Sequence, residues 1–245
     1  MEPLTEFEIA GKRFPFGAKR CTCEEAQTWW AEYDRQKAEE KRLEEERERR
    51  ARLDRLFQLS MLPTRWKSRT FESFEVTNDN RDAFQTAKEY VEQFRPSEGK
   101  GLIFTGTVGL GKTHLSAAIA MELLSREYSA VFGTVTTLLD EFRSAYDNDR
   151  IHHADVMRQL TRCDLLIVDD LGKEKVTDWV EQMVYELINT RYENNKSLIV
   201  TTNMTLTDIR DKYTERGAAI VSRILEMCKG VKMTGRDRRR MNIAI

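Results

Sequence analysis

Cysteine and histidine are scarce in this chain, and their spacing supports neither a disulfide framework nor a complete metal site. The four cysteines are Cys21, Cys23, Cys163 and Cys228. They show no framework spacing, which fits a reducing cytosol. Cys21-Thr-Cys23 is half of a metal-site spacing, and the three histidines, His114, His152 and His153, stand far from it. The pair therefore reads either as free thiols or as the remnant of a zinc site, the first being the simpler. Net charge is also nearly absent: 40 Lys and Arg against 41 Asp and Glu leave −1. Bulk electrostatics thus announces no nucleic-acid binder and leaves room only for local patches. No apolar run approaches the ~20 residues of a membrane span. The charged N-terminus lacks the apolar core of a signal peptide. The expectation is a cytoplasmic protein with no membrane partner. At 245 residues without internal repeats, there is room for one α/β domain with a sizeable core plus an extension.

What is present begins with Gly106-Thr107-Val108-Gly109-Leu110-Gly111-Lys112-Thr113, a complete G-x-x-x-x-G-K-T loop. It follows an apolar strand at 102–105 and opens a helical run over 113–124. A triphosphate needs several backbone N–H groups aimed at one point, and glycines let the chain fold that tightly. The following helix adds its free N–H groups and the positive end of its dipole. Lys112 is expected to reach the β- and γ-phosphates of ATP and the Thr113 hydroxyl to ligate Mg²⁺. His114, next along, is counted with the loop. Before nucleotide binds, the Lys112 side chain is expected to face solvent. A Gly-rich strand-to-helix turn with an exposed lysine is the plainer alternative.

Composition shifts along the chain. Residues 24–59 read as one helix almost solid in charge, with Glu45/Arg49, Glu46/Arg50 and Glu48/Arg52 one turn apart in the favourable order, each worth ~0.3 kcal/mol. Such a segment buries no core of its own and predicts a solvated rod. Trp29, Trp30 and Tyr33 begin it, and Leu53, Leu56, Phe57 and Leu59 close it. It reads either as a charged linker helix or as an arm presenting aromatics to a partner protein. Pro63 ends the helix, and 66–74 is expected to be an extended lead-in. Helices are expected at 82–94, 138–146, 154–160 and 179–192, and further strands at 130–135, 165–170 and 197–203. The alternation predicts a doubly wound parallel sheet flanked by helices, with ligand at the carboxyl ends of the strands. The division expected is an arm over 1–60 and an ATPase domain over 61–245.

The strand ends supply the remaining chemistry. Asp169 closes an unbroken apolar strand and is placed to hold Mg²⁺. Asp170 reads as the group that orients and deprotonates the attacking water, or as a turn cap before Gly172. Asn203 closes another apolar strand, in position to hydrogen-bond the γ-phosphate or the water, although Asn also favours turns.

Together these motifs resemble the AAA+ ATPases, and within them the helicase loaders of the DnaC/DnaI type and the related IstB transposition ATPases. The resemblance covers about 62–243. It also rests on Glu215-Arg216-Gly-Ala-Ala-Ile-Val-Ser222-Arg223-Ile-Leu and Gly235-Arg-Asp-Arg-Arg239. It implies that Asn203 is the sensor-1 residue, Arg223 the arginine finger reaching a neighbouring subunit, and Arg239, or else Arg238, the sensor-2 arginine. The plainer alternatives are a surface salt bridge for Arg223 and a solvated basic tail for Arg239. Single-stranded DNA contacts are implied at Arg143 and Tyr146, and at Thr177 and Trp179, where cation and ring suit base stacking. The other reading of Arg143 and Tyr146 is an ordinary amphipathic surface. Lys229, Lys232, Arg236, Arg238, Arg239 and Arg240 form a second basic patch. Two departures stand out. Many relatives carry Glu where this chain has Asp170, which implies slow hydrolysis, and only Cys21-Thr-Cys23 remains of an upstream zinc module. The implied function is loading a replicative hexameric DNA helicase onto single-stranded DNA, with self-assembly on ATP binding. The alternatives are a transposition ATPase assisting a transposase and an ATP-switch adaptor with negligible turnover.

Overall fold

The computed structural model describes residues 6–9, 12–15, 24–146 and 153–237. Contacts divide the chain into two compact units, Met1–Ala51 and Arg52–Ile245. The first holds an antiparallel pair, β1 (Glu6–Ile9) and β2 (Lys12–Pro15), which the sequence reading did not foresee. It also holds the start of α1 (Glu24–Leu59), 36 residues long and about 54 Å at 1.5 Å per residue. Ion pairs one turn apart line this helix, among them Lys41–Glu45 at 3.7 Å and Arg42–Glu39 at 2.9 Å. Trp29 stacks on Tyr33 with ring centroids 5.2 Å apart, and Trp30 meets both rings edge-on.

In the second unit the segment after Pro63 is not extended. It makes a 3₁₀ turn at Thr64–Trp66 and then a run of tight turns. The Ser73 hydroxyl explains the departure: it accepts from the Thr70 N–H at 3.0 Å and lies within hydrogen-bond reach of the Ser68 and Thr70 carbonyls. Side-chain bonds of this kind offer the backbone an alternative to a strand.

There follow α2 (Arg81–Glu92), β3 (Gly101–Thr105), α3 (Lys112–Ser125), β4 (Ala130–Thr134), α4 (Val135–Tyr146) and α5 (His153–Arg162). Then come β5 (Leu165–Asp169), α6 (Asp178–Glu193), β6 (Ser197–Thr202), α7 (Leu206–Lys212), α8 (Gly217–Met227) and β7 (Cys228–Lys232). Strands β3 to β7 form one parallel sheet in the order β4-β5-β6-β3-β7. Successive residues of each central strand face opposite sides. Leu102, Phe104, Leu165, Ile167 and Ile199 join a core with α2 and α3. Ile103, Leu166, Val168, Leu198 and Val200 join a second core with α4, α5, α6 and α8. Helices on both faces explain why β5 and β6 are buried at every position. The sheet is the expected doubly wound one, with a fifth strand, β7, added at its edge. Because all five strands run the same way, the loops after β3, β5 and β6 meet along one edge.

Candidate functional site

The loop between β3 and α3 is shaped by its glycines. Gly106 has φ +141, and a Cβ there would lie 2.2 Å from the Met233 carbonyl oxygen, so no other residue fits. Gly111, at φ +96, is the N-cap of α3 and offers no side-chain cap to the N–H groups of the helix's first turn. Backbone donors left without a side-chain cap at a helix N-terminus suit an anion. The residues present therefore fit a phosphate chain.

Lys112 opens the helix but does not face solvent. It is 5% exposed, and its Nζ donates at 2.7 Å to each of three oxygens: the Gly106 and Thr107 carbonyls and Asn203 Oδ1. An ammonium buried this deeply needs acceptors on every proton, and the loop and the end of β6 supply them. The expectation of an exposed lysine is corrected by its reach to Asn203, 91 positions along the chain.

Asp169, at the end of β5, is also buried. Burial raises its carboxyl above the ordinary range, and the neighbouring Asp170 charge adds to this. Hydrogen bonds from Thr201 and Thr113 and the Lys112 charge pull the other way. Asp170 sits in the left-handed region at φ 56, with its carboxylate 3.4 Å from the Lys173 ammonium. The Lys173 N–H donates to the Asp170 carbonyl, closing a turn.

Lys112, Thr113, Asp170 and Asn203 line one cavity of about 430 Å³ together with Val108, Gly109, Leu110 and Gly111. This volume suits a small-molecule site. Its remaining wall comes from Trp66, Arg69, Ser73, Glu75, His114 and Lys173. Of these six only His114 is among the residues expected from sequence; Trp66, Arg69 and Ser73 fall in the segment expected to be an extended lead-in, and Glu75 and Lys173 carry no motif. His114 Nε2 lies 3.0 Å from the Thr70 carbonyl and 3.2 Å from Ser73 Oγ, and its ring meets Phe74 edge-on, so it ties that wall to α3. A larger groove of about 780 Å³ between α5 and α6, lined in part by Arg158, Arg162 and Lys196, holds none of the expected residues.

Other expected residues are placed elsewhere. Arg223, on α8, does not line the cavity of its own chain. Its guanidinium lies over the Tyr185 ring at 5.0 Å and the Tyr192 ring at 5.6 Å, and its Nε donates to Asn189 Oδ1 at 2.6 Å. Arg143 of α4 lies over the Trp179 ring of α6 at 4.8 Å while pairing with Asp140 at 2.9 Å. Two segments separated in sequence thus place a cation and an indole together. Thr177 caps α6 by accepting from the Val180 N–H. The Tyr146 side chain lies outside the described residues, as do Arg238, Arg239, Arg240, Cys21 and Cys23. Among the described residues no metal-binding cluster of His, Cys, Asp or Glu occurs, and no helix is long and apolar enough to cross a membrane.

The family of IstB-like ATP binding proteins matches residues 22–243. The chain belongs to that family. It is also 27% identical over 173 residues to the replicative helicase loader DnaC of Escherichia coli K12, covering 70% of each chain. It is 25% identical over 182 residues to the replicative helicase loader DnaI of Bacillus subtilis 168, covering 69% of this chain and 58% of that one. The crystal structure of the DnaC helicase loader superposes with a TM-score of 0.62 at 28% identity, over 70% of this chain and 100% of that one. A structure of the replication initiator DnaA bound to AMPPCP and single-stranded DNA shares the fold, with a TM-score of 0.59 at 23% identity, over 71% of this chain and 51% of that one. This IstB-like protein is therefore an AAA+ ATPase-type domain of the DnaC kind.

Proposed function

We propose that this chain hydrolyses ATP and loads a replicative hexameric DNA helicase onto single-stranded DNA in the cytoplasm. The observation that carries the enzymatic part is the convergence of Lys112, Thr113, Asp170 and Asn203 on one cavity, with Asp169 bonded behind it. When bound, Mg²⁺ would be held by Thr113 and Asp169 and would neutralise charge on the terminal phosphates. Lys112 would exchange its loop carbonyls for phosphate oxygens. Asp170 would take a proton from the attacking water, and its short side chain makes for slow turnover. Asn203 would orient that water or the γ-phosphate. Arg223 would act from a neighbouring subunit in an ATP-bound assembly, with Arg239 as a further cation beside the phosphates. The loading part is supported by kinship with proteins named replicative helicase loaders. The Arg143–Trp179 pair supports a single-strand contact, since rings and cations stack on bases without reading sequence. The aromatic cluster of Trp29, Trp30 and Tyr33 is the proposed helicase grip, within an arm that ends near residue 60.

A second reading, a transposition ATPase that assists a transposase, is supported by membership of the IstB-like family of ATP binding proteins. Affinity purification of the full chain from its host with ATP present separates the two. Recovery of a hexameric helicase, and helicase activity on circular single-stranded DNA that needs this chain, supports loading. Recovery of a transposase instead supports the second reading, and ATP binding with neither partner leaves an ATP-switch adaptor.

A further inference from the structure

Thr201 lies inside β6, one position beyond Val200, which pairs with Val168 of β5. Its side chain is fully buried. A threonine hydroxyl has one proton and two lone pairs, and here the surroundings decide how each is used. The Asp170 N–H can only donate, and it lies 2.9 Å from Thr201 Oγ1. The hydroxyl proton is therefore free to go to Asp169 Oδ1, which lies 2.6 Å away. The main chain repeats the link one residue on, where the Leu171 N–H donates to the Thr201 carbonyl at 2.8 Å. One residue of β6 thus fixes the carboxylate of Asp169 and the backbone of Asp170, whose left-handed conformation is uncommon for any residue but glycine. Two positions further on, just past the end of β6, Asn203 accepts from Lys112.

We propose that Thr201 is a positioning residue for nucleotide hydrolysis: its hydroxyl orients both acidic residues, and β6 ties that orientation to Asn203 and Lys112. The proposal rests on the ATPase reading above and adds to it a residue that touches neither phosphate nor water. Outer partners of ligating carboxylates matter at the level of ~10–100-fold in metal affinity or activity. A methyl group alone would serve if Thr201 only filled space, so Thr201→Val removes the hydroxyl while keeping the shape, and Thr201→Ser restores the hydroxyl.

The experiment compares the full chain with these two variants. It measures binding of a fluorescent ADP analogue across a Mg²⁺ titration, steady-state ATP turnover, and melting temperature. For Thr201→Val the expected result is a kcat lower by ~10–100-fold and a higher Mg²⁺ requirement for tight nucleotide binding. Mg²⁺-free nucleotide affinity should match the parent, and Thr201→Ser should recover both lost properties. Parental kcat and Mg²⁺ requirement in Thr201→Val would overturn the proposal. So would a loss of Mg²⁺-free affinity together with a collapsed melting temperature, because the residue would then be structural. If the unsubstituted chain shows no Mg²⁺-dependent binding or turnover, the ATPase reading itself falls and takes this role with it.

Discussion

Lys112 sits where three oxygen acceptors meet, and its amine is committed both to its own loop and to the end of β6. Lys112→Ala removes the charge-assisted bonds it would make to phosphate, worth about 3 kcal/mol together or roughly 100-fold in Kd. Titration calorimetry with ATP should show that loss, while the variant stays folded. An unchanged Kd would contradict the assignment. Gly106→Ala tests the loop backbone. Its Cβ would strike the Met233 carbonyl oxygen, and φ +141 is closed to alanine. Stability and nucleotide binding should fall together, and a melting temperature equal to the parent's would contradict this geometry. The two buried thiols give a pH test away from the site. Burial pushes Cys228 up to about 12 and also raises Cys163, where the Arg191 charge partly opposes it. In the unfolded chain both ionise near the ordinary value of 9.0. Above that pH the unfolded state has released protons that the folded state keeps, so stability falls as pH rises. The urea midpoint should drop between pH 8 and pH 10, and less so in a Cys163→Ala/Cys228→Ala variant. Equal slopes in parent and variant would show that the thiols do not titrate this way.

At the scale of elements, α1 crosses from one compact unit into the other. The first unit ends at Ala51. Beyond it, Leu56 and Phe57 pack against the α2–α3 core, Arg52 meets Glu127, and the Ser60 carbonyl accepts from the Phe132 N–H at 2.8 Å. Deleting residues 1–51 should leave a folded, nucleotide-binding domain that no longer captures its partner. Deleting 1–59 also removes Leu56 and Phe57, each worth up to about 1.5–3 kcal/mol when buried, and should lower the melting temperature well below that of the shorter deletion. Equal melting curves would place the end of the domain nearer residue 60. The same contrast explains what could be read from sequence. Helix α1 was legible because charge repeats at helical spacing with no apolar stripe. Strands β3, β5 and β6 were legible because covering both faces demands unbroken apolar runs. Edge strand β7 was not, because only Cys228 and Val231 of Cys-Lys-Gly-Val-Lys are buried. Helices α7 and α8 are not legible in the same way: α7 has only seven residues, and the α8 sequence stands out for its arginine motif rather than for its periodicity. In the site, the phosphate loop and Asp169 follow from local order. The cage around Lys112 and the Thr201 bridge arise between strands adjacent only in the folded sheet.

For the whole molecule, the fold gathers Lys112, Thr113, Asp170 and Asn203 around the proposed ATP site and leaves Arg223 away from it, held by Tyr185, Asn189 and Tyr192. For Arg223 to act on nucleotide as proposed, a second subunit must join in a head-to-tail contact, where one surface meets a different one on its neighbour. An arginine finger supplied this way is worth up to ~10³–10⁵ in turnover, less in a slow ATPase. The most direct test is to mix Lys112→Ala with Arg223→Ala and measure ATP hydrolysis with single-stranded DNA and helicase present. Each variant alone should be nearly inactive, the first for want of phosphate binding and the second for want of the finger. In a random one-to-one mixture, sites that join an intact Lys112 to a neighbour's intact Arg223 should restore about a quarter of the parental rate, a proportion that follows from heterologous pairing. A mixture as inactive as its components, or an Arg223→Ala protein that matches the parent at every concentration, would contradict the shared ATP site.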